Sequence, residues 1–267
     1  MTAWPGLWMA EAELLAGYPV LLDKELHEAG RSKRIVAFFI ITTFALVLIP
    51  LIGYGRVEYF GDGFRHEVSS RNMDALVGTW ATLVGFLGSL MVIASTVDAV
   101  SHERSLGIIA WVVTKPVSRL SYLFAKASAH AMMACAAIVI LPSAVWCLLM
   151  VALFREVPVA NIIVAAGILC IEMTFLSFVI VALGVPLRSV TPIAIIALAL
   201  WFLPNVVPEI ERLRWTANVL PSYLPIAAVG VAIDEAGSYT LTIPLASVAV
   251  AAVAFVGAVL AFERQEL

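Results

Sequence analysis

Two His-Glu pairs, His66-Glu67 and His102-Glu103, are where this chain comes nearest to a catalytic pattern. A zinc peptidase reads H-E-x-x-H, because two histidines one helical turn apart share the ion while the glutamate acts as base. Both pairs lack the second histidine. The other two histidines, His27 and His130, lie far away in sequence, so a histidine metal site is not expected. There is no G-x-S-x-G nucleophile turn and no G-x-x-x-x-G-K-[ST] loop to cradle a nucleotide phosphate. Cys135, Cys147 and Cys170 are odd in number and each lies in an apolar run. They read as small core residues, not as a disulfide framework, and with the scattered methionines they offer no soft-metal cluster. No catalytic residue, bound metal or cofactor is expected of this chain.

Two features remain. Glu172 sits in the middle of the apolar stretch Leu169–Phe175. A charged side chain at a bilayer centre costs about 2.5–3.5 kcal/mol on insertion scales. It should therefore face a helix bundle or a watery cavity. There it either lines a substrate pathway or makes a structural hydrogen bond to a neighbouring helix through Thr174, Ser177 or a similar hydroxyl. The second feature is the polar segment from Asp98 to Arg119, wedged between two long apolar segments. Gly107 permits a helix break or a close backbone approach. Pro116 removes a donor and restricts Lys115, which favours a turn. A short helix between these punctuations, with Glu103, Arg104 and Arg119, makes a compact charged knob. Asp98, Ser101 and Ser118 belong to the same segment.

The elements that position these residues follow from composition. The 267 residues are 62% hydrophobic and 13% charged, against about 25% charged in a soluble domain. So few charges cannot cover a water-facing surface, and the expected solvent is a bilayer. The net charge of −3 gives no support to a nucleic-acid partner. Spanning helices need about 20 apolar residues. Six candidates emerge, at about 35–54, 73–97, 122–154, 157–187, 191–207 and 243–262. An even number puts both termini on one side. Ten of the 16 Lys and Arg fall on that side, including Arg31, Lys33 and Arg34 just before the first span, so the termini are expected in the cytoplasm. Residues 1–34 hold five acids and do not read as a cleavable signal peptide.

The expected outer loops are 55–72 and 208–242. Within the second, the run Leu224–Ala232 is too short to span and reads as an interfacial or re-entrant half-helix. Pro19 suits the first turn of a helix on which Leu22, Leu26 and Ala29 recur at helical spacing, with Asp23, Lys24, Glu25, Arg31 and Lys33 at the other positions. This is an amphipathic interface helix. On the second span Gly78, Ala81, Gly85 and Gly88 share one face, which reads as packing within the subunit before a dimer seam. The fold class is thus all-α integral membrane. An amino-terminal segment, 1–34, precedes a single six-helix domain, 35–267.

The 98–126 segment resembles the cytoplasmic loop of ABC type-2 permeases, the membrane subunits of one class of ABC exporters. The matching residues are Glu103, Gly107, Pro116, Val117, Ser118, Arg119 and Lys126. Lys24-Glu25-Leu26 followed by Arg31-Ser-Lys-Arg34 resembles the family's opening helix. The size of the chain and its loop are similar to permeases found with nitrous-oxide reductase maturation systems. Departures are Ile108 where the family has Thr, Ala125 where it has Gly, and a charged pair reduced to Arg104-Ser105.

The resemblance implies a short coupling helix seated in an ATPase cleft, with Asp98, Ser101, Glu103, Arg104, Gly107, Pro116, Ser118 and Arg119 as coupling residues. It implies two ATPase subunits that hold ATP and Mg, a second permease copy or related permease, membrane lipid as surroundings, and a location in the plasma membrane. The alternatives are a non-transporting scaffold that passes ATPase motion to an extracytoplasmic partner, or an integral-membrane enzyme.

Overall fold

The structure, a computed structural model, describes residues 17–60, 68–100, 103, 117–154, 157–187, 189–206, 223–233 and 242–264. Ser101, Arg104, Gly107 and Pro116, and with them the expected coupling helix, lie outside the described residues, as does most of the 208–242 loop. Among the described residues every regular element is helical.

Helix α1 spans Tyr18–Gly30, α2 Lys33–Phe60 and α3 Val68–Thr96. The long third segment is α4, Arg119–Ala134, then a π-helical turn, Cys135–Ile140, then α5, Leu141–Leu153. Helices α6, Val159–Gly184, α7, Val190–Val206, α8, Leu224–Ala232, and α9, Thr242–Glu263, complete the chain. Five of these segments are long and apolar enough to cross a membrane: Lys33–Ile52, Met73–Thr96, Arg119–Leu153, Val159–Gly184 and Thr242–Phe262. The apolar Val190–Phe202 is shorter. The expected loop at 55–72 is narrower than the sequence suggested, because α2 runs on to Phe60 and α3 begins at Val68. Polar residues do not stop a helix; they only make it unsuited to lipid.

Helix α6 is the hub. It packs against α3, α4, the π turn, α7, α8 and α9. Its sequence is apolar on every side, as an interior helix requires. Helices α3 and α6 each bury 56% of their most apolar stretch, against 22% for α2 and 28% for α9. The outer pair therefore turns residues such as Phe44 and Val253 outward, where lipid would meet them. Lipid tails are as apolar as these side chains, so close packing and buried hydrogen bonds hold such a bundle together.

The small face of α3 supplies that packing within the subunit. A side chain at Gly78 would meet Ile233 at 3.5 Å, one at Gly85 would meet Leu169 at 3.3 Å and Pro225 at 3.4 Å, and one at Gly88 would meet Met173 at 2.8 Å. Helix α8 lies along this face. Its nine residues rise only about 14 Å, too little to span, and Leu224, Ala227, Ala228 and Ala232 are buried. Next to it, Trp80 stacks on Trp146 at 5.4 Å and donates its indole N–H to Ser143 at 3.0 Å.

The π turn has a local cause. Pro142, in the first turn of α5, has no N–H, and its ring presses on the carbonyl four residues back. A wider turn immediately before it relieves that clash.

Candidate functional site

Ser118 starts α4: its hydroxyl accepts the backbone N–H of Ser121 at 3.0 Å, the usual N-cap bond. Downstream, Tyr122 and Lys126 stand four apart and so share a face. Lys126 is 2% exposed. Its ammonium lies 2.9 Å from Glu25 Oε2 of α1 and 3.0 Å from Glu103 Oε1 of the loop. The Tyr122 hydroxyl donates to Glu103 Oε2. Lys24 completes the cluster, at 3.3 Å from Glu25, 3.5 Å from Glu103 and 3.6 Å from Glu28. Three carboxylates and two ammoniums from three separate parts of the chain thus converge at one end of the bundle, with one carboxylate in excess. The carboxylates lie close enough to hold a cation, but Lys24 and Lys126 already bond to them.

Burial opposes ionisation of Glu103, yet Lys126, the Tyr122 hydrogen bond and Lys24 together outweigh it and hold the carboxyl below its ordinary range. Burial likewise opposes the charge on Lys24, but Glu25, Glu103 and Glu28 raise its pKa above the usual value.

Apolar contacts fix the same loop at both ends. Val100 is 1% exposed and presses on Gly184, where an added Cβ would stand 2.9 Å from the Val100 Cβ. At the other end Val117 packs on Gly17, which has φ of +80° and room for nothing larger, since a Cβ there would sit 3.0 Å from Val117. Asp98 accepts from Arg34 at 3.1 Å, and Arg34 also donates to the carbonyl of Ala94 at 2.7 Å. Arg119 donates to the carbonyl of Phe262 at 2.7 Å, which brings the end of α9 to the start of α4.

Of the residues expected at this site, the structure unites Lys24, Glu25 and Glu103 directly, places Asp98 with Arg34, and gives Ser118 and Arg119 structural bonds. Arg31 is exposed and closes α1 through its backbone N–H to His27 at 3.3 Å.

One expectation is corrected. Glu25 does not belong to the outer, charged face of α1. It is 5% exposed and lies on the packing face with Ala29, because Lys126 meets it there. The sequence reading missed Lys126 and Tyr122 as its counterparts. The only available signal was a lysine in the first turns of an apolar helix, with nothing nearby in sequence to neutralise it.

Glu172 is 3% exposed and faces the bundle. Its expected partners, Thr174 and Ser177, instead donate to carbonyls of their own helix, at Cys170 and Met173. Ser89 of α3 provides the bond, donating to Glu172 Oε1 at 2.7 Å. Glu172 Oε2 has no hydrogen-bond partner among the described residues and lies beside Gly85.

The cysteines also depart from the sequence reading. Cys135 and Cys170 are neighbours, with the Cys135 thiol 3.6 Å from the Cys170 carbonyl oxygen. They fall on different helices, and distance along the chain concealed the pairing. No protein-family model and no curated protein matches this chain.

Proposed function

We propose that this chain is the permease subunit of an ATP-powered exporter of the ABC type-2 class. The observation that carries the reading is the anchoring of Glu103. The carboxylate that the resemblance puts at the coupling turn is tied to α4 by Lys126 and Tyr122 and to α1 by Lys24. A loop held this firmly moves with the helices that follow it, so a push on the loop from an ATPase reaches α4 and, through Gly184, α6.

In this reading the Asp98–Arg119 loop, α1 and both termini face the cytoplasm, with α1 in the inner interface. Helix α7 is the fifth of six spans and α8 a half-helix on the outer side. Two copies, or one with a related permease, form the path in the plasma membrane. Two ATPase subunits bind ATP and Mg and do the hydrolysis.

Expression with candidate ATPase partners tests this. A cysteine at Ser118 should crosslink to a copurifying ATPase. Glu103→Gln should insert normally and lower transport-coupled ATPase activity more than about tenfold, as expected when a desolvated charge pair is broken. Normal insertion with unchanged coupling, or an ATPase that never copurifies, would overturn the proposal.

A further inference from the structure

Helices α6 and α9 part around a groove of about 440 Å³. Phe124, Phe178 and Phe255, in mutual contact at 5.1–5.9 Å, prop the helices apart at one end. Beyond the rings the facing residues are small: Cys170 and Thr174 on α6, Ser247 and Ala251 on α9. Both hydroxyls are already committed, Thr174 to the carbonyl of Cys170 and Ser247 to that of Ile243, each at 2.8 Å. The wall therefore asks nothing polar of an occupant.

The shape is equally restrictive. On α9 the groove runs from Ser247 to Val256, a rise of about 14 Å. A volume of 440 Å³ over that length leaves a cross-section of about 30 Å². That is enough for one hydrocarbon chain and too little for a helix about 10–12 Å across. The groove lies midway along Val159–Gly184 and Thr242–Phe262, both long and apolar enough to span, so an occupant reaches it through the hydrocarbon. Its lip is a stripe of α9 at helical spacing, Val248, Ala252, Val256 and Leu260, all exposed. One turn further along the same stripe stands Arg264, also exposed. From Arg264 to Val248 is a rise of about 24 Å, the reach of a long acyl chain below its phosphate. That span stays within a hydrocarbon core about 30 Å thick.

We propose that this groove binds one acyl chain of a membrane phospholipid whose phosphate is held at Arg264. The tail supplies the dispersion contacts that a void forfeits, and the guanidinium fork suits a phosphate. The inference rests on the membrane setting of the chain and not on a role in transport.

The test uses the full chain in detergent micelles and phosphatidylglycerol with a photoactivatable diazirine near the end of one acyl chain. Wild type should gain one adduct per chain by intact mass, mapping to 170–178 or 247–256, and excess unlabelled phosphatidylglycerol should abolish it. Ala252→Trp, which fills the groove from an exposed position, should lower labelling about tenfold or more, the equivalent of losing about two buried methylenes. Val253→Trp is the control, since Val253 is exposed but does not line the groove. Wild type should favour the phospholipid over a diacylglycerol with the same tails, and Arg264→Gln should erase that preference. Adducts spread evenly over α2 and α9, uncompeted labelling, or equal labelling of Ala252→Trp and Val253→Trp would overturn the proposal. So would an unlabelled groove whose lip, with a cysteine at Ala252, crosslinks to a second copy. A preference that survives Arg264→Gln would overturn the phosphate contact.

Discussion

Lys126 has the most to lose by substitution. Like Lys24 it contacts both Glu25 and Glu103, but at shorter distances, and it is itself almost fully enclosed. Removing one partner of a buried ion pair costs about 3–5 kcal/mol, because the other partner is left uncompensated. Lys126→Met should therefore lower the thermal stability of the purified protein by an amount in that range, and Glu25→Gln introduced into Lys126→Met should recover part of it. If Lys126→Met melts like wild type, the cluster is not a structural unit. The pH dependence has a definite sign. Since the Glu103 pKa is lowered from its ordinary value of 4.5 in the folded protein, its contribution is fully present above that pH and is lost as the pH falls through the lower folded value. A melting temperature that stays flat in Glu103→Gln but drops in wild type below pH 4.5 would identify the group. The sequence reading set Glu25 among the charged positions opposite Leu22, Leu26 and Ala29, because its buried partner lies 101 residues away, beyond any local pattern.

At the scale of elements, the decisive contact is the seat of Val100 on Gly184. Overpacking a well-fitted site costs about 1–3 kcal/mol. The neighbouring atom here is the Cβ of a branched side chain, which cannot swing aside. Gly184→Ala should destabilise by that amount and raise the protease sensitivity of the 98–116 loop. Gly88→Ala is the control, because its nearest neighbours are the flexible end of Met173. Equal effects of the two would mean that the loop is not seated on α6. Ser118→Ala should cost about 1 kcal/mol through loss of the α4 cap, read as a small drop in melting temperature. The helices themselves were legible, since long apolar runs leave little alternative. Their neighbours were not: nothing in α3 says that its glycines meet α8 and not another subunit, and the bond from Ser89 to Glu172 joins helices that are 83 residues apart.

For the whole molecule, α1 and the end of α9 both pack on the first half of α4. A cysteine at Ser238 should react with a membrane-impermeant reagent in intact cells, and reaction only after permeabilisation would reverse the proposed orientation.

The salt bridge between Glu25 and Lys126 also sets a clock. Helix α1 leaves the ribosome well before its partner, which follows 101 residues later, at about 5–20 residues per second a wait of roughly 5–20 s. During that interval the carboxylate of Glu25 has only water and its exposed neighbour Lys24 for company. The earliest made of the described helices is thus among the later ones to dock. Stalled nascent chains ending before Lys126 should leave a cysteine at Ala29 open to alkylation, and chains that extend well past it should not.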